Sequence, residues 1–218
     1  MINPENPADA ENEVYFPQED SILLRDCARK EAKGNVLEMG SGSGFVLQGI
    51  CDKINFGIGL DINPSAVKFA EEEARKQHCS NLYFFKSDLF SFLENYSIEF
   101  IRERLWISPG KSSKVFDYIL FNPPYLPDED DKRLNSKALH GGKKGTELIE
   151  QFLLAAPKYL KPNGKILLIS SSIIDKPLQK FLKDNNFSYS LIKETKMFYE
   201  SLYCYRIQIC QGSKKAMA

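Results

Sequence analysis

A short segment after a predicted buried strand carries the side chains best suited to chemistry. The run "VFDYIL" leads into "FNPPY", so an apolar strand meets Asn122, Pro123, Pro124 and Tyr125. Proline has no backbone N–H, which stops the sheet ladder here. The Asn122 side-chain oxygen and the Pro123 carbonyl are adjacent acceptors that match the two hydrogens of one planar NH₂ group. Tyr125 is placed to stack on the flat group that carries this nitrogen.

The nitrogen of such an NH₂ group is a poor nucleophile because its lone pair is delocalised. Positioning it in line with a leaving group is then the main tool of catalysis, and well-oriented reactants gain roughly 7–11 kcal/mol. Neither a metal nor a strong general base is needed if the electrophile is an activated methyl group. The segment therefore predicts N-methyl transfer with these four residues as catalytic, although taken alone it also fits a rigid turn.

A glycine-rich loop, "LEMGSGSGF", joins the first predicted strand to the helix behind it. Gly40, Gly42 and Gly44 allow the backbone to approach a ligand without Cβ atoms in between. The spacing is G-x-G-x-G, not the G-x-G-x-x-G of dinucleotide sites, and no Lys-Ser/Thr pair follows as in a phosphate loop. The loop therefore argues against a pyrophosphate ligand.

Acidic residues lie where three consecutive predicted strands end, namely Glu38, Asp61 and Asp88. The carboxyl edge of a parallel sheet is where such folds bind ligands, and Asp61 has the spacing of a ribose-binding carboxylate. A nucleoside with a cationic, non-phosphorylated arm fits this set, and S-adenosylmethionine is such a ligand. Its ribose suits Asp61, its adenine amine suits Asp88, and its amino-acid end suits Glu38 and the glycines.

Strand and helix signals alternate along the chain. Strands are predicted at 35–40, 56–61, 81–88, 115–122, 162–171, 187–195 and 201–209, and helices at 19–34, 44–53, 63–78, 90–107, 146–160 and 176–186. This alternation predicts an α/β fold, a seven-stranded, mainly parallel Rossmann-like sheet with helices on both faces and a C-terminal antiparallel hairpin. We expect one domain at 14–211, between a flexible arm at 1–13 and a flexible tail at 212–218.

Composition limits the classes of function. Lysine plus arginine equals aspartate plus glutamate at 29 each in 218 residues, so the chain lacks the basic excess of proteins that hold nucleic acid mainly through phosphates. The five cysteines have no zinc-ligand spacing, and we expect reduced thiols, no metal and a cytoplasmic location. No apolar run is long enough to span a bilayer.

Five segments together resemble HemK-type class I S-adenosylmethionine-dependent methyltransferases: "VYFPQEDSILL", "VLEMGSGSG", "GLDINPSAV", "FNPPYL" and "ALHGGKKGTELI". "VYFPQEDS" is similar to the archaeal and eukaryotic branch, which methylates a glutamine of class I translation release factors, although Phe16 stands where an acidic residue is common. The segment 90–114 is longer than the resemblance implies. The resemblance implies cofactor contacts at Ser21, Glu38, Gly40, Asp61, Asp88, Leu89 and Asn122, the last shared with the substrate.

The leading hypothesis is N5-methylation of the glutamine in a Gly-Gly-Gln motif. The alternative is an adenine-N6 methyltransferase acting on DNA or RNA, because adenine presents the same planar NH₂. The acidic run 128–131 would repel a phosphate backbone, whereas Lys143 and Lys144 would attract one. A non-catalytic subunit with a cofactor fold is a third class, which the complete "FNPPY" segment disfavours.

The resemblance also implies a partner. Archaeal and eukaryotic members pair with a small zinc-binding activator protein, which docks along the third strand. Here that strand, 81–86, carries large apolar groups on both faces, and an aromatic edge strand needs a cover. We therefore expect a heterodimer in which the activator adds a strand beside residues 81–86.

Overall fold

The computed structural model describes residues 14–96, 103, 114–124 and 145–210. The strands of these ranges are β1 (Gly34–Met39), β2 (Ile54–Asp61), β3 (Leu82–Lys86), β4 (Phe116–Phe121), β5 (Leu160–Ser171), β6 (Phe187–Lys196) and β7 (Ser201–Ile209). The helices are α1 (Glu19–Glu31), α2 (Phe45–Gln48), α3 (Pro64–Lys76), α4 (Ser91–Asn95), α5 (Glu147–Ala155) and α6 (Asp175–Asp184). No helix in the described ranges has both the length and the apolar character needed to cross a bilayer.

All seven strands form one sheet in the order β3-β2-β1-β4-β5-β7-β6. The pairs β1–β2, β2–β3, β1–β4 and β4–β5 are parallel, whereas β7 runs antiparallel to both β5 and β6. This confirms the predicted mainly parallel sheet with its C-terminal hairpin. The chain leaves β1 toward β2 on one side and later returns to β4 on the other, which opens a crevice at the carboxyl ends of β1 and β4.

Apolar clusters cover both faces of the sheet. Successive strand residues point to opposite faces, so Leu120 packs with α1, α2 and α3, whereas Phe121 packs with α4, α5 and α6. The central strands β1, β2 and β4 are therefore buried on both sides, which explains why they appear as continuous apolar runs in the sequence. At the start of α3 the Asn63 side chain accepts a hydrogen bond from the Ser65 N–H at 2.8 Å, and Pro64 takes the first helical position.

Most predicted helices lose one to three residues in the structure, and two of them are much shorter. The helix predicted at 146–160 ends at Ala155, and a 3₁₀ turn at Ala156–Lys158 leads directly into β5. Pro157 lies in that turn, and proline removes the N–H that a continuing α-helix would use. The helix predicted at 44–53 reaches only Gln48, where Gly49 is a poor helix former. Of the helix predicted at 90–107, α4 is described, and residues 97–102 and 104–107 lie outside the described ranges.

The prediction that all cysteines are free thiols is wrong for one pair. Cys51, in a 3₁₀ turn before β2, forms a disulfide with Cys79, which precedes β3. The two are 28 positions apart in sequence, and the parallel pairing of β2 with β3 brings their preceding loops together. The Asn81 side chain adds to this junction by donating to the Cys51 carbonyl at 2.9 Å and the Ile54 carbonyl at 3.1 Å.

Candidate active site

The predicted site residues that the structure describes converge on the crevice between β1 and β4. The glycine loop follows β1, Asp61 is the last residue of β2, Asp88 follows β3, and Asn122 follows β4. Because β1 to β4 are parallel neighbours, these four features meet at one edge of the sheet. Tyr125 lies outside the described residues, so its predicted stacking role stays a prediction.

The glycine loop has a backbone that side chains would strain. Gly40, Gly42 and Gly44 have φ values of 62°, 50° and 75°, in the left-handed region that L-residues rarely adopt. A Cβ on Gly44 would also lie 2.8 Å from the Gln48 amide nitrogen and 3.0 Å from the Ala70 Cβ. Gly44 therefore permits the close packing of α2 on α3, whereas the other two glycines set the course of the loop.

Asp61 holds the glycine loop against the end of β2. Its Oδ2 accepts the Gly42 N–H at 2.7 Å, and its Oδ1 accepts the Asn63 N–H at 2.8 Å. A carboxylate offers about four acceptor positions, and the N–H groups of Gly42, Asn63 and Ile62 do not fill them all, so capacity remains for a donor such as a ribose hydroxyl. Burial raises the pKa of the Asp61 carboxyl, and the backbone N–H groups of Asn63 and Gly42 oppose that rise.

Glu38 is a buried carboxyl group beneath the same loop. It is 3% exposed, and its Oε2 accepts the Leu47 N–H at 3.3 Å. Burial raises the pKa of Glu38 well above its ordinary value, and the neighbouring Asp61 charge adds to the rise. Within the described ranges no lysine or arginine forms a salt bridge with Glu38. A cationic ligand would supply the compensating charge that the described residues do not provide.

Asn122 presents an acceptor that the fold leaves unused. Its Oδ1 is buried and has no hydrogen-bond partner among the residues that the structure describes. An unsatisfied buried polar group costs about 1–3 kcal/mol, so folding alone gives no reason to keep it. Pro123 is buried and Pro124 half-buried beside it, and neither has an N–H that could satisfy a neighbour. The described residues around the carboxyl end of β4 therefore leave the Asn122 Oδ1 unsatisfied.

Ser41 provides a second unused polar atom, which the sequence did not single out. It lies between Gly40 and Gly42, is 5% exposed, and its buried Oγ has no hydrogen-bond partner within the described ranges. Its backbone is fixed, because the Ser41 N–H donates to the Leu60 carbonyl at 3.1 Å. An alternation of serine and glycine gave no signal beyond that of a flexible turn, which is why Ser41 was missed.

The segment before α1 packs against the glycine loop. A Cβ on Gly42 would lie 3.5 Å from the Tyr15 carbonyl oxygen, so Tyr15 borders the loop. The Tyr15 hydroxyl donates to the Asp20 carboxylate at 3.1 Å, and the Ser21 hydroxyl donates to it at 3.1 Å. Ser21, 7% exposed, is thus held at the site by a network that includes two residues without a predicted role, Tyr15 and Asp20.

Ser87 shapes the turn that displays Asp88 and Leu89. Its hydroxyl donates to the Leu89 carbonyl at 2.6 Å and accepts the Phe92 N–H at 3.0 Å. The Asp88 N–H donates to the Ser91 hydroxyl at 3.1 Å, and Leu89 takes a left-handed φ of 43°. The Asp88 side chain stays exposed, so its carboxylate is accessible to a ligand at the edge of the sheet.

Replacing Glu38 by glutamine should change the stability of the protein and its affinity for the cofactor in opposite directions. Above its ordinary pKa, Glu38 is ionised in the unfolded chain but keeps its proton in the folded chain up to the raised pKa. Folding then takes up a proton, so stability falls as the pH rises through this window. At pH 7, Glu38→Gln should raise Tm by about 2 °C or more and weaken S-adenosylmethionine binding.

Scanning calorimetry and titration calorimetry on the same Glu38→Gln sample check both effects. Glu31→Gln is the control. Glu31 is the last residue of α1 and forms a partly exposed salt bridge with Arg206. A lower Tm together with an unchanged Kd would contradict the assignment of Glu38.

Comparisons with known proteins show which family this chain belongs to. A family model described as a methyltransferase domain matches residues 30–216. The chain is 37% identical over 195 residues to a Methanocaldococcus jannaschii protein provisionally named protein N5-glutamine methyltransferase, covering 87% of this chain and 89% of the relative. It is 31% identical over 170 residues to human methyltransferase HEMK2, covering 73% and 72% of the two chains.

A solved structure shares the fold. A chain of the Mtq2–Trm112 complex of E. cuniculi aligns with a TM-score of 0.64 and 22% identity, covering 90% of this chain and 99% of that chain. The bacterial release factor glutamine methyltransferases that the chain matches are longer, and the chain spans about half of their length. From its methyltransferase domain and its relatives, the chain belongs to the HemK-type S-adenosylmethionine-dependent glutamine methyltransferases.

Proposed function

We propose that this protein methylates the side-chain nitrogen of the glutamine in the Gly-Gly-Gln motif of a class I translation release factor. The observation that carries the proposal is the buried, unpartnered Oδ1 of Asn122 at the crevice between β1 and β4. Relatives are named release factor glutamine methyltransferases, and the Mtq2–Trm112 structure is described as responsible for methylation of the termination factor eRF1. These names supply the substrate class.

The residues of the crevice fit S-adenosylmethionine. Asp61 keeps free acceptor positions for ribose hydroxyls, and Asp88 is exposed at the next strand end, where we place the adenine amine. The buried Glu38 suits a positively charged amino-acid end, and the unpartnered Ser41 Oγ lies in the loop above it. Ser21 and Leu89 complete the proposed contacts.

When bound, S-adenosylmethionine supplies a methyl group activated by its positive sulfur. Asn122 Oδ1 and the Pro123 carbonyl accept the two hydrogens of the substrate amide and aim its nitrogen at that group. The backbone of Pro123 and Pro124 is stiff, so the two acceptors keep their spacing, and little entropy is lost when the amide enters. Tyr125 is proposed to stack on the amide plane. No described residue needs to act as a base, because the surplus proton leaves to water after transfer.

A competition experiment tests the substrate class. Wild-type protein is incubated with labelled S-adenosylmethionine, a release factor and adenine-containing DNA and RNA in one mixture. We expect label on the release factor to exceed label on either nucleic acid by orders of magnitude. N6-methyladenine as the dominant product would replace glutamine by adenine as the substrate.

We propose further that β3 binds a small activator protein. In the described part of the chain, β3 pairs on one side only, with β2. A groove of about 940 Å³ runs along it, with Tyr83 and Phe85 half-buried in its wall. Phe84 is 2% exposed and belongs to the protein's own core, so the apolar surface at this edge is smaller than the sequence suggested. A partner strand beside residues 81–86, from a zinc-binding activator, would cover the open edge.

Tyr83→Lys tests this edge without disturbing the buried Phe84. We expect it to weaken activator binding by about 10-fold or more, because a charge replaces an aromatic contact at the proposed interface. Leu191→Lys, on the opposite edge strand β6, is the matched control at 48% exposure. Affinity measured by titration of purified activator should fall for Tyr83→Lys only. Equal affinities for the three proteins would exclude β3 as the docking edge.

We assign the protein to the cytoplasm, where translation release factors act. Reducing conditions there oppose disulfides, so the Cys51–Cys79 bond would be in equilibrium with its dithiol form in that compartment.

A further inference from the structure

The turn between β6 and β7 holds two aromatic side chains in solvent. Phe198 is 90% exposed and Tyr199 is 93% exposed, whereas no other large hydrophobic residue in the described ranges exceeds 63%. Their ring centroids lie 4.7 Å apart in an edge-to-face arrangement, so the two form one small apolar surface. We name residues 197–200 the aromatic turn. Exposed apolar groups of this size on an otherwise ordinary surface mark contacts with another molecule.

The aromatic turn lies at the same edge of the sheet as Asn122. Phe121, at the end of β4, pairs with Leu168 of β5, and β5 continues for three more residues to Ser171. At roughly 3.3 Å per residue, β5 extends about 10 Å beyond the end of β4. Ser171 pairs with Leu202 of β7, which in turn pairs with Thr195 of β6. The β6–β7 hairpin therefore extends as far beyond the end of β4 as β5 does, and the aromatic turn lies at its tip.

Strands β5, β7 and β6 lie beside the crevice, on the side of β4, and we call them the wall. Three strand spacings of roughly 4.8 Å separate β4 from β6, which is about 14 Å sideways. Combined with the rise, the distance from Asn122 to the aromatic turn is about 17 Å. An extended peptide covers that distance in about five residues.

Hydrogen bonds hold the aromatic turn in place. The Met197 N–H donates to the Glu200 carbonyl at 2.8 Å and closes the turn. The Ser172 N–H donates to the Ser201 carbonyl at 2.8 Å, and the Ser201 N–H donates to the Ser172 hydroxyl at 3.1 Å. The turn is thereby tied to the segment that follows β5. A backbone that is already fixed loses little further entropy when the turn binds another molecule.

An unused acceptor lies at the base of the same turn. The Oε2 atom of Glu200 is buried and has no hydrogen-bond partner among the described residues. A peptide N–H would reach it only after the Glu200 side chain turns outward. The aromatic turn itself thus offers the apolar surface that an extended peptide with an apolar side chain would contact.

We propose that the aromatic turn binds an apolar side chain of the protein substrate about four to six residues from the methylated glutamine. This inference rests on the proposed function. The substrate is the favoured occupant because it must enter the crevice directly beside the wall. The activator is proposed at β3, which lies at the opposite edge of the sheet. Two aromatic side chains cover at most about 500 Å², which falls short of the roughly 800 Å² per partner in a stable dimer.

The test is the double variant Phe198→Ala/Tyr199→Ala, assayed with a full-length class I release factor. We expect KM for the release factor to rise by about 10-fold or more, with kcat within about twofold and the Kd of S-adenosylmethionine unchanged. Leu191→Ala, an exposed change on the same hairpin but away from the turn, should behave as wild type. A short peptide that ends two residues from its Gly-Gly-Gln glutamine should not distinguish the double variant from wild type, because it cannot reach the turn.

Three other outcomes would overturn the docking proposal. Equal KM values for wild type and double variant would overturn the docking role while leaving the proposed function intact. Absence of release factor methylation by the wild type would refute the proposed function, and the docking proposal with it. Light scattering that finds a wild-type dimer and a monomeric double variant would assign the turn to a second copy of the chain and overturn the proposal.

Discussion

Replacing Asn122 by alanine is expected to abolish most turnover while leaving the fold and the cofactor affinity largely intact. The Asn122 Oδ1 is buried without a partner in the described part of the chain, so its loss breaks no hydrogen bond to the described residues. We therefore expect Asn122→Ala to be at least as stable as wild type, since it removes an unsatisfied buried polar atom. Catalysis depends on aiming a weakly nucleophilic nitrogen, and misplacement of a reacting atom by about 1 Å costs on the order of 10² in rate. We expect kcat to fall by about that factor or more.

Single-turnover assays and thermal unfolding of Asn122→Ala check this result. Asn185→Ala is the control, because Asn185 is an exposed asparagine after α6 whose amide donates to the Phe181 carbonyl at 3.0 Å. A variant that keeps near wild-type kcat would show that Asn122 is not the clamp. A variant that unfolds would contradict the view that the fold does not use this side chain.

Replacing Asp61 by alanine is expected to weaken the binding of S-adenosylmethionine strongly. Asp61→Ala removes the proposed ribose contact together with the two hydrogen bonds that fix Gly42 and Asn63. A hydrogen bond to a charged group contributes about 1.5–3 kcal/mol, which corresponds to a rise in Kd of roughly 10- to 150-fold. Loosening of the glycine loop adds to the loss, so we expect the upper part of this range. Asp61→Asn should lie between wild type and alanine, because it keeps one acceptor oxygen but no charge.

Titration calorimetry of the Asp61 variants measures the effect directly. Asp52→Ala is the matched control, because Asp52 forms an exposed salt bridge with Arg29 away from the crevice. An unchanged Kd in a folded Asp61→Ala protein would remove Asp61 from the cofactor site.

The strands of the sheet could be predicted from the sequence because the central parallel strands have both faces buried. Continuous apolar runs and polar strand ends then mark the strands, and Glu38, Asp61 and Asn122 could be located as strand ends. Helix ends were less certain, because single residues such as Pro157 and Gly49 decide between helix and turn. The Cys51–Cys79 pair could not be predicted, since only the pairing of β2 with β3 brings those loops together.

The residues that surround and position the site residues could not be identified from the sequence either. The carboxylate of Asp20 joins Tyr15 to Ser21, and this network depends on the path of the chain before α1. Ser41 and Glu200 have unpartnered buried oxygens, a property that only a three-dimensional packing defines. The resemblance identified the segment 14–21 as characteristic of the branch, and the structure adds a physical reason: this segment packs on the glycine loop.

We propose above all that Asn122 presents a glutamine side-chain amide for methylation. The most direct measurement is tandem mass spectrometry of a release factor treated with S-adenosylmethionine and either wild-type or Asn122→Ala protein. We expect one added methyl group on the side-chain nitrogen of the Gly-Gly-Gln glutamine with wild type, and its near absence with the variant. A methyl group on a different residue, or equal methylation of that glutamine by both proteins, would contradict it.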